Sequence, residues 1–553
     1  MTHVQHDGPS AGRPINNFLE KKSFQNSIGF YGLSNLHCLG LAANHGGTWT
    51  LRRGITLGIA SKEQWAARAA ALKPEWRAFI DGQYRPALSG KTFATINPAT
   101  GKVIAEIAAC DGEDVDLAVA SARKAFESGV WSRRAPAERK QVLLRFAESL
   151  MANREELALL ESLDVGKPIA NAYNGDIVSA ATCIQWFAEA IDKLYGEVAP
   201  APAGMTTMVV REPVGVVAAV VPWNYPLSMA AWKLGPALAA GNSVILKPAE
   251  QSPLTAIRIA QLAVDAGLPP GVLNVLPGYG ETAGQALGLH MDVDAVGFTG
   301  STEVGKLFMQ YSGRSNIKRI SLECGGKSPH IVLADCPDLD GAARAVAMGI
   351  FANTGQVCNA GSRLIVEEPI RDALLEKVLA VATELRPGDP LDPATRLGPV
   401  VSKEQYERVL SYIETGHTEG ARLVVGGKPA LLDSGGYFIE PTVFDGVSNR
   451  MRIAQEEIFG PVLSAITVKN VEEALTVAND TIYGLAAGVW TRDITQAHRA
   501  AQRLKAGVVW VNCFDRGSMS APFGGFKQSG FGRDKSMHAF DKYMDWKAIW
   551  IAT

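Results

Sequence analysis

Apolar positions change their period near residue 214, and that change divides the chain more clearly than its composition does. Between Glu63 and Leu72 the spacing predicts a short helix, and Phe79-Ile80-Asp81-Gly82-Gln83-Tyr84 predicts a hairpin turning at Asp-Gly. Apolar residues then recur at helical spacing over 114–126, 137–153 and 154–164, which predicts three successive helices. A fourth is expected over 175–194, with Ile177, Ala180, Ala181, Ile184 and Phe187 on one face. From Val214 short β-rich runs alternate with amphipathic helices, as in parallel βαβ units.

The expected strands are 214–221, 243–247, 272–275 and 295–299, with helices over 227–240, 253–266 and 283–288. Together they predict a doubly wound nucleotide-binding sheet. A second alternating set includes Ile331-Val332-Leu333, 338–353, Leu364-Ile365-Val366, 369–384, 404–420 and 471–480. It predicts a second α/β domain. The tail over 540–551 alternates like a strand.

A chain of 553 residues is too long for one core, so two or three structural units are expected. Hydrophobic residues at 47% and charged residues at 20% suit a soluble globular protein. The net charge of −2 offers no electrostatic reason to expect nucleic acid or an anionic membrane as a partner, so a small molecule is expected instead. The most apolar run, Val214 to Val221, is far short of the roughly 20 residues of a spanning helix. Seven cysteines, at 38, 110, 183, 324, 336, 358 and 513, are widely spaced, with no CxxC and no histidine cluster at zinc-ligand spacing. No metal is expected, and a reducing compartment, the cytoplasm, fits best. Residues 1–60 read as a poorly ordered extension or a start assigned too far upstream, with a transit peptide as the other reading.

Chemistry enters with Gly355-Gln356-Val357-Cys358-Asn359-Ala360-Gly361 and, upstream, Glu323-Cys324-Gly325-Gly326-Lys327. A thiol nucleophile and a carboxylate base are what covalent oxidation of an aldehyde needs. A lone cysteine more often packs as a small hydrophobe, and Cys324 and Cys513 are read that way. Cys358 differs through its small-residue setting, which lets backbone amides approach the sulfur. A thiol of ordinary pKa needs a lowered pKa or a nearby base, and Glu323, beside Leu322 and two glycines, is expected to be partly desolvated with a raised pKa. Asn224 lies in Pro222-Trp223-Asn224-Tyr225-Pro226, a loop stiffened by two prolines. Gly300-Ser301-Thr302-Glu303-Val304-Gly305 follows a predicted strand and opens a helix, where backbone N–H groups can meet a pyrophosphate.

With Lys247-Pro248-Ala249-Glu250, these motifs in this order resemble the aldehyde dehydrogenase superfamily from about Trp76 to the end. The resemblance implies two doubly wound α/β domains. An NAD-binding domain would span 61–198 and 214–324 and a catalytic domain 325–530, with a small β oligomerisation extension from 199–213 and 531–553. In that extension the tail would pair with Met205 to Val210 between subunits of a homodimer or homotetramer. It implies Cys358 as nucleophile, Glu323 as the base for thioester hydrolysis, and the Asn224 amide with the Cys358 N–H as oxyanion donors. NAD would be held by Trp223, Lys247, Glu250, Gly280, Gly300, Ser301, Gly305, Glu457 and Phe459. The Glu250 carboxylate favours NAD over NADP, because it would repel a 2′-phosphate. Lys527 is assigned to structure and subunit contact.

Several stretches, among them Tyr195-Gly196-Glu197-Val198 and Phe523 to Ser536, look closest to the branch oxidising ω-aminoaldehydes and γ-glutamyl-γ-aminobutyraldehyde in putrescine breakdown. The expected tunnel wall is Asp176, Tyr225, Trp232, Trp186, Asn359 and the loop Asn512 to Met519. Asp176 and Asp515 would supply negative charge for a cationic aldehyde, and Arg516 would favour a carboxylate. Other readings are a general aliphatic, betaine or succinate semialdehyde dehydrogenase, acyl transfer to coenzyme A, which Glu323 disfavours, and a dehydrogenase-like binding protein without turnover.

Overall fold

The computed structural model describes residues 59–552. The expectation for residues 1–60 falls almost wholly outside them. Ser61 caps the first helix, Lys62–Ala71, in a reciprocal capping box with Gln64, and Asp111 does the same with Asp114 for Gly112–Ser128. The helices expected next are Pro136–Ala152, Arg154–Val165 and Ile177–Ala190, the last preceded by a π turn over Ala172–Asp176.

Two sheets organise the chain. The first has eight strands in the order Gln83–Arg85, Ala78–Ile80, Leu273–Val275, Ser243–Lys247, Val216–Val220, Ala295–Thr299, Arg319–Glu323, Gly530–Phe531. Its five central strands are parallel, and the hairpin and Gly530–Phe531 add antiparallel edges. Gly530 and Phe531 therefore belong to the first sheet, although the sequence reading put them at the junction of the catalytic part and the extension. The strand Val216–Val220 is buried along its whole length, as expected for a parallel strand covered on both faces. Pro226–Ala240 and Ile177–Ala190 pack together on one side, Gly112–Ser128 and Thr302–Gly313 on the other.

The second sheet has seven strands in the order Arg422–Val425, Thr442–Asp445, Val462–Val468, Arg363–Glu367, Pro329–Val332, Ala486–Trp490, Val508–Val511, all parallel except the first. Its two faces carry separate apolar cores, centred on Ile365 and Phe444 and on Val346 and Leu364. A third sheet joins Met544–Ala552, Met205–Pro213 and Glu197–Ala199, with Met205 opposite Ala552 and Pro213 opposite Met544. The expected tail strand starts later than residue 540, because Met537–Lys542 forms a 3-10 turn that buries Phe540 first. No helix among the described residues is long and apolar enough to cross a membrane.

Candidate active site

In an open α/β sheet a crevice forms beyond the carboxyl ends of adjacent strands whose connections run to opposite faces. Here those strands are Val216–Val220 and Ala295–Thr299. The first runs into Trp223 and Asn224 and the second into Gly300 and Ser301, while Glu323 ends the next strand over, level with Thr299. Cys358 comes from the second sheet's side, in the turn between helix Leu339–Phe351 and strand Arg363–Glu367. All these residues line one cavity of about 600 Å³.

The turn that delivers Cys358 is strained. Asn353, Thr354 and Gly355 have successive φ angles of 48°, 57° and 73°, a conformation costing non-glycine residues on the order of 1–3 kcal/mol each. Several bonds hold it in place. Thr354 Oγ1 donates to Gly398 O at 3.0 Å, Asn353 Nδ2 donates to Asn224 O at 3.2 Å, and Gln356 Oε1 accepts from Val401 N at 2.9 Å. Gly355 has no alternative, since a Cβ there would lie 2.1 Å from Gly460 O. Asn224, 4% exposed, donates from Nδ2 to Gln356 O at 2.8 Å, so its amide is fixed before any ligand arrives.

Burial pushes the Cys358 thiol up to about 12, helped by the charges of Glu457, Glu323 and Asp515 and opposed by the Asn359 N–H. The resting sulfur is thus a thiol at neutral pH. Glu323 is 4% exposed and neither of its oxygens has a hydrogen-bond partner among the described residues. Burial, then the charge of Asp534, holds its carboxyl well above the usual range, while Lys233, Lys542 and Arg533 act in the opposite sense. Asp534 sits behind it, accepting from Lys233 Nζ at 2.5 Å and from Lys542 Nζ. A protonatable carboxyl with free lone pairs, facing a cavity that also holds a thiol, is suited to general-base work.

The residues present fit a dinucleotide. Ser301 Oγ caps helix Thr302–Gly313 by accepting from Val304 N at 3.2 Å, and the start of that helix faces the cavity. The Trp223 and Phe459 rings meet edge to face at 5.2 Å in the wall. Glu457 Oε1 accepts from Gly326 N at 2.9 Å, an approach only a glycine at 325 permits, since a Cβ there would lie 1.9 Å from Glu457 Oε2. Lys247, Glu250 and Gly280 do not line this cavity. Lys247 ends the strand beside Val216–Val220, donates to Pro248 O at 2.9 Å and lies 3.6 Å from Glu250 Oε2. Gly280 starts the turn that packs against the Lys247 side chain. These residues lie beside the cavity, where an elongated ligand would extend. Gly305 is buried against Cys324, where a Cβ would lie 2.9 Å from Sγ, so it brings helix and strand together and does not line this cavity.

Asp176, Tyr225, Trp232, Asn359 and Asp515 all line the cavity. Asp176 is nevertheless no free charge, contrary to expectation. Its Oδ2 lies 2.6 Å from Lys167 Nζ, which also reaches Glu161 at 3.0 Å and sits 3.9 Å from the centroid of the Tyr225 ring. Trp186 is outside the lining and stacks edge to face on Phe187 at 5.0 Å. Asn512, Arg516 and Met519 are outside it too, Asn512 being tied to Thr491. Sequence reasoning missed Lys535 and Phe523 in the wall, and Gln405 and Arg408, which donate to the Ile458, Phe459 and Glu457 carbonyls and fix that segment. Phe523 and Lys535 lie in the stretch Phe523 to Ser536 singled out above, but nothing in it marked them as wall residues, and no motif marked Gln405 or Arg408. Lys527 Nζ donates to Asn479 O and Thr481 O.

A doubly wound sheet whose switch point faces a thiol, a buried carboxyl and a fixed amide is the setting of a nucleotide-linked enzyme. The particular family follows from comparison. Residues 84–549 match the model of the aldehyde dehydrogenase family, and the chain belongs to that family. Aminoacetaldehyde dehydrogenase of Pseudomonas aeruginosa is 52% identical over 494 residues, 89% of this chain and 99% of the relative. NADP/NAD-dependent aldehyde dehydrogenase PuuC of Escherichia coli K12 is 52% identical over 488 residues, 88% and 98% of the two chains. Among solved structures, γ-glutamyl-γ-aminobutyraldehyde dehydrogenase of Burkholderia cenocepacia superposes with a TM-score of 0.88 at 56% identity, covering 89% of this chain and 100% of the other. An indole-3-acetaldehyde dehydrogenase complexed with NAD+ gives 0.89 at 60% identity with the same coverage. The protein is an NAD-dependent aldehyde dehydrogenase.

Proposed function

We propose that the protein oxidises γ-glutamyl-γ-aminobutyraldehyde or a related ω-aminoaldehyde to the carboxylic acid through a thioester on Cys358. The observation that carries the mechanism is that Cys358, Glu323 and Asn224 face one cavity. Bound NAD supplies the hydride acceptor, and its positively charged ring would lower the pKa of a neighbouring thiol or carboxyl. The Cys358 sulfur, its proton passed to a base, adds to the aldehyde carbon. The resulting oxyanion takes hydrogen bonds from the Asn224 amide and the Cys358 N–H. Loss of hydride from that carbon leaves an acyl thioester. Glu323 accepts a proton from water as it attacks the thioester, releasing the carboxylic acid and restoring the thiol.

Lys247 and Glu250 would hold the adenosine ribose, and Glu457 and Phe459 the nicotinamide end. Trp232, Tyr225 and Phe523 form an apolar wall for the substrate chain. Similarity to an aminoacetaldehyde dehydrogenase and a γ-glutamyl-γ-aminobutyraldehyde dehydrogenase supports this substrate class. We also infer a homo-oligomer built through the third sheet, where Trp546, Trp550, Ile551 and Val198 are exposed on its two edge strands. The six described cysteines are all free thiols, which supports a cytoplasmic site of action.

The test is a panel of γ-glutamyl-γ-aminobutyraldehyde, 4-aminobutyraldehyde, succinate semialdehyde, betaine aldehyde and propanal, each with NAD and with NADP, following NADH or NADPH formation. The γ-glutamyl and amino compounds are expected to show the highest kcat/KM, with NAD preferred and Cys358→Ala inactive. A flat profile would refute the substrate assignment, and a turning-over Cys358→Ala would refute the covalent mechanism.

A further inference from the structure

Among the charged groups of the cavity wall that the chemistry above leaves unused are Asp515 and Lys535. Lys535 and Ser536 both have left-handed backbone, with φ of 59° and 51°. Asp534 points inward to Lys233 and Lys542, whereas the next side chain, Lys535, lines the cavity. The Lys535 ammonium stands 4.4 Å from the Trp232 centroid and 5.5 Å from that of Phe523, beside the loop that carries Asp515. A Cβ on Gly517 of that loop would lie 3.7 Å from it.

Among the described residues Lys535 makes no ion pair and no side-chain hydrogen bond. Three other lysines near the site are engaged differently: Lys167 holds two carboxylates, and Lys233 and Lys542 share Asp534. Asp515, Cys183, Asp534 and Cys358 are the ionisable groups that act most on Lys535. Burial keeps both thiols protonated, so the charge comes from the two carboxylates, and Asp534 is already held by its two lysines. Asp515 Oδ1 accepts from Asn359 Nδ2 at 2.8 Å, the one side-chain hydrogen bond it receives among the described residues. A half-buried ammonium held over two aromatic rings with no bonded anion gains when an anion comes to it.

We propose that Lys535 is the subsite for a carboxylate at the far end of the aldehyde, with Asp515 beside it receiving an ammonium. The pair recognises an amino-acid zwitterion. This inference rests on the dehydrogenase reading above and narrows its substrate. γ-Glutamyl-γ-aminobutyraldehyde carries both charges, whereas 4-aminobutyraldehyde brings only a cation, which Lys535 repels.

Two measurements test it. In the first, kcat/KM for γ-glutamyl-γ-aminobutyraldehyde is divided by kcat/KM for propanal in the wild type, Lys535→Met and Lys535→Arg. Methionine keeps the length and the ring contacts without the charge. The ratio is expected to fall roughly ten- to hundredfold in Lys535→Met, the range of a charge-assisted hydrogen bond. The loss should appear in KM, and Lys535→Arg should recover most of it. A ratio that stays within about twofold of the wild type would overturn the proposal.

The second measurement needs neither a variant nor turnover. Calorimetry compares binding of N-propyl-γ-glutamine, which has the zwitterion and no aldehyde, with its α-carboxamide. The carboxylate form is expected to bind about tenfold or more tightly; equal binding would overturn the subsite. If propanal is oxidised and the γ-glutamyl aldehyde is not preferred, the substrate reading fails by itself. The calorimetric comparison still decides whether Lys535 binds a carboxylate.

Discussion

Replacing Asn224 by alanine removes one donor from the position where negative charge develops, and the structure sets the size of the effect. The amide is 4% exposed and already fixed by Gln356 O, so it has no reorganisation to do during the reaction. Losing such a donor costs on the order of 10²–10³ in kcat, about 3–4 kcal/mol. The Cys358 N–H remains, so activity should fall to that level and no further. The fold should survive, because Asn353 Nδ2 still donates to the Asn224 carbonyl and to Gln356 O. One buried hydrogen bond is lost, at a cost of about 1 kcal/mol in stability. An interaction made only in the transition state lowers kcat and kcat/KM together with KM little changed. Steady-state NADH formation gives both constants, and the thermal midpoint controls for folding. Asn224→Asp should be worse than Asn224→Ala, since its carboxylate would face the oxyanion and raise the Cys358 thiol further. A fall in kcat of less than about threefold, or a rise in KM alone, would refute the oxyanion role.

Two further outcomes follow from buried carboxyls. Glu323→Gln should lower kcat by about 10²–10⁴ and abolish the rise of activity with pH that the raised Glu323 carboxyl imposes; a retained acidic limb in the kcat profile would assign that limb to another group. Asp164 is 1% exposed, accepts from Thr95 Oγ1 and Leu254 N, and is pushed up to about 7 by burial. Its unfolded pKa is about 3.9, so its contribution to stability is full below pH ~4 and declines as pH rises to about 7, by up to ~4 kcal/mol. In Asp164→Asn the drop in thermal midpoint between pH 5 and pH 7 should shrink; an unchanged drop would place the effect elsewhere.

The candidate chemical groups were legible because short motifs carry them. Cys358, Glu323 and Asn224 sit among glycines and prolines, whose backbone demands leave a mark on the chain. The substrate end left no such mark. Asp176 reads as a free carboxylate until Lys167, packed under the Tyr225 ring, is seen beside it. Lys535 follows Asp534 directly, and two left-handed residues separate their surroundings. Trp186 has the helical spacing of a tunnel residue but the contacts of a core residue.

By itself the sequence determined the alternation of strands and helices and singled out Cys358 and the Gly300-Ser301 turn as candidates, because hydrophobic period and backbone geometry are local properties. Tertiary structure alone decided that Gly530 and Phe531 close the first sheet, since Leu322 and Glu323, their partners, lie some two hundred residues upstream. It also decided which charges are spent and which are free. A carboxylate or ammonium is assigned by its nearest opposite charge, and in this cavity those neighbours come from distant segments: Lys167 for Asp176, Lys233 for Asp534, and none among the described residues for Lys535.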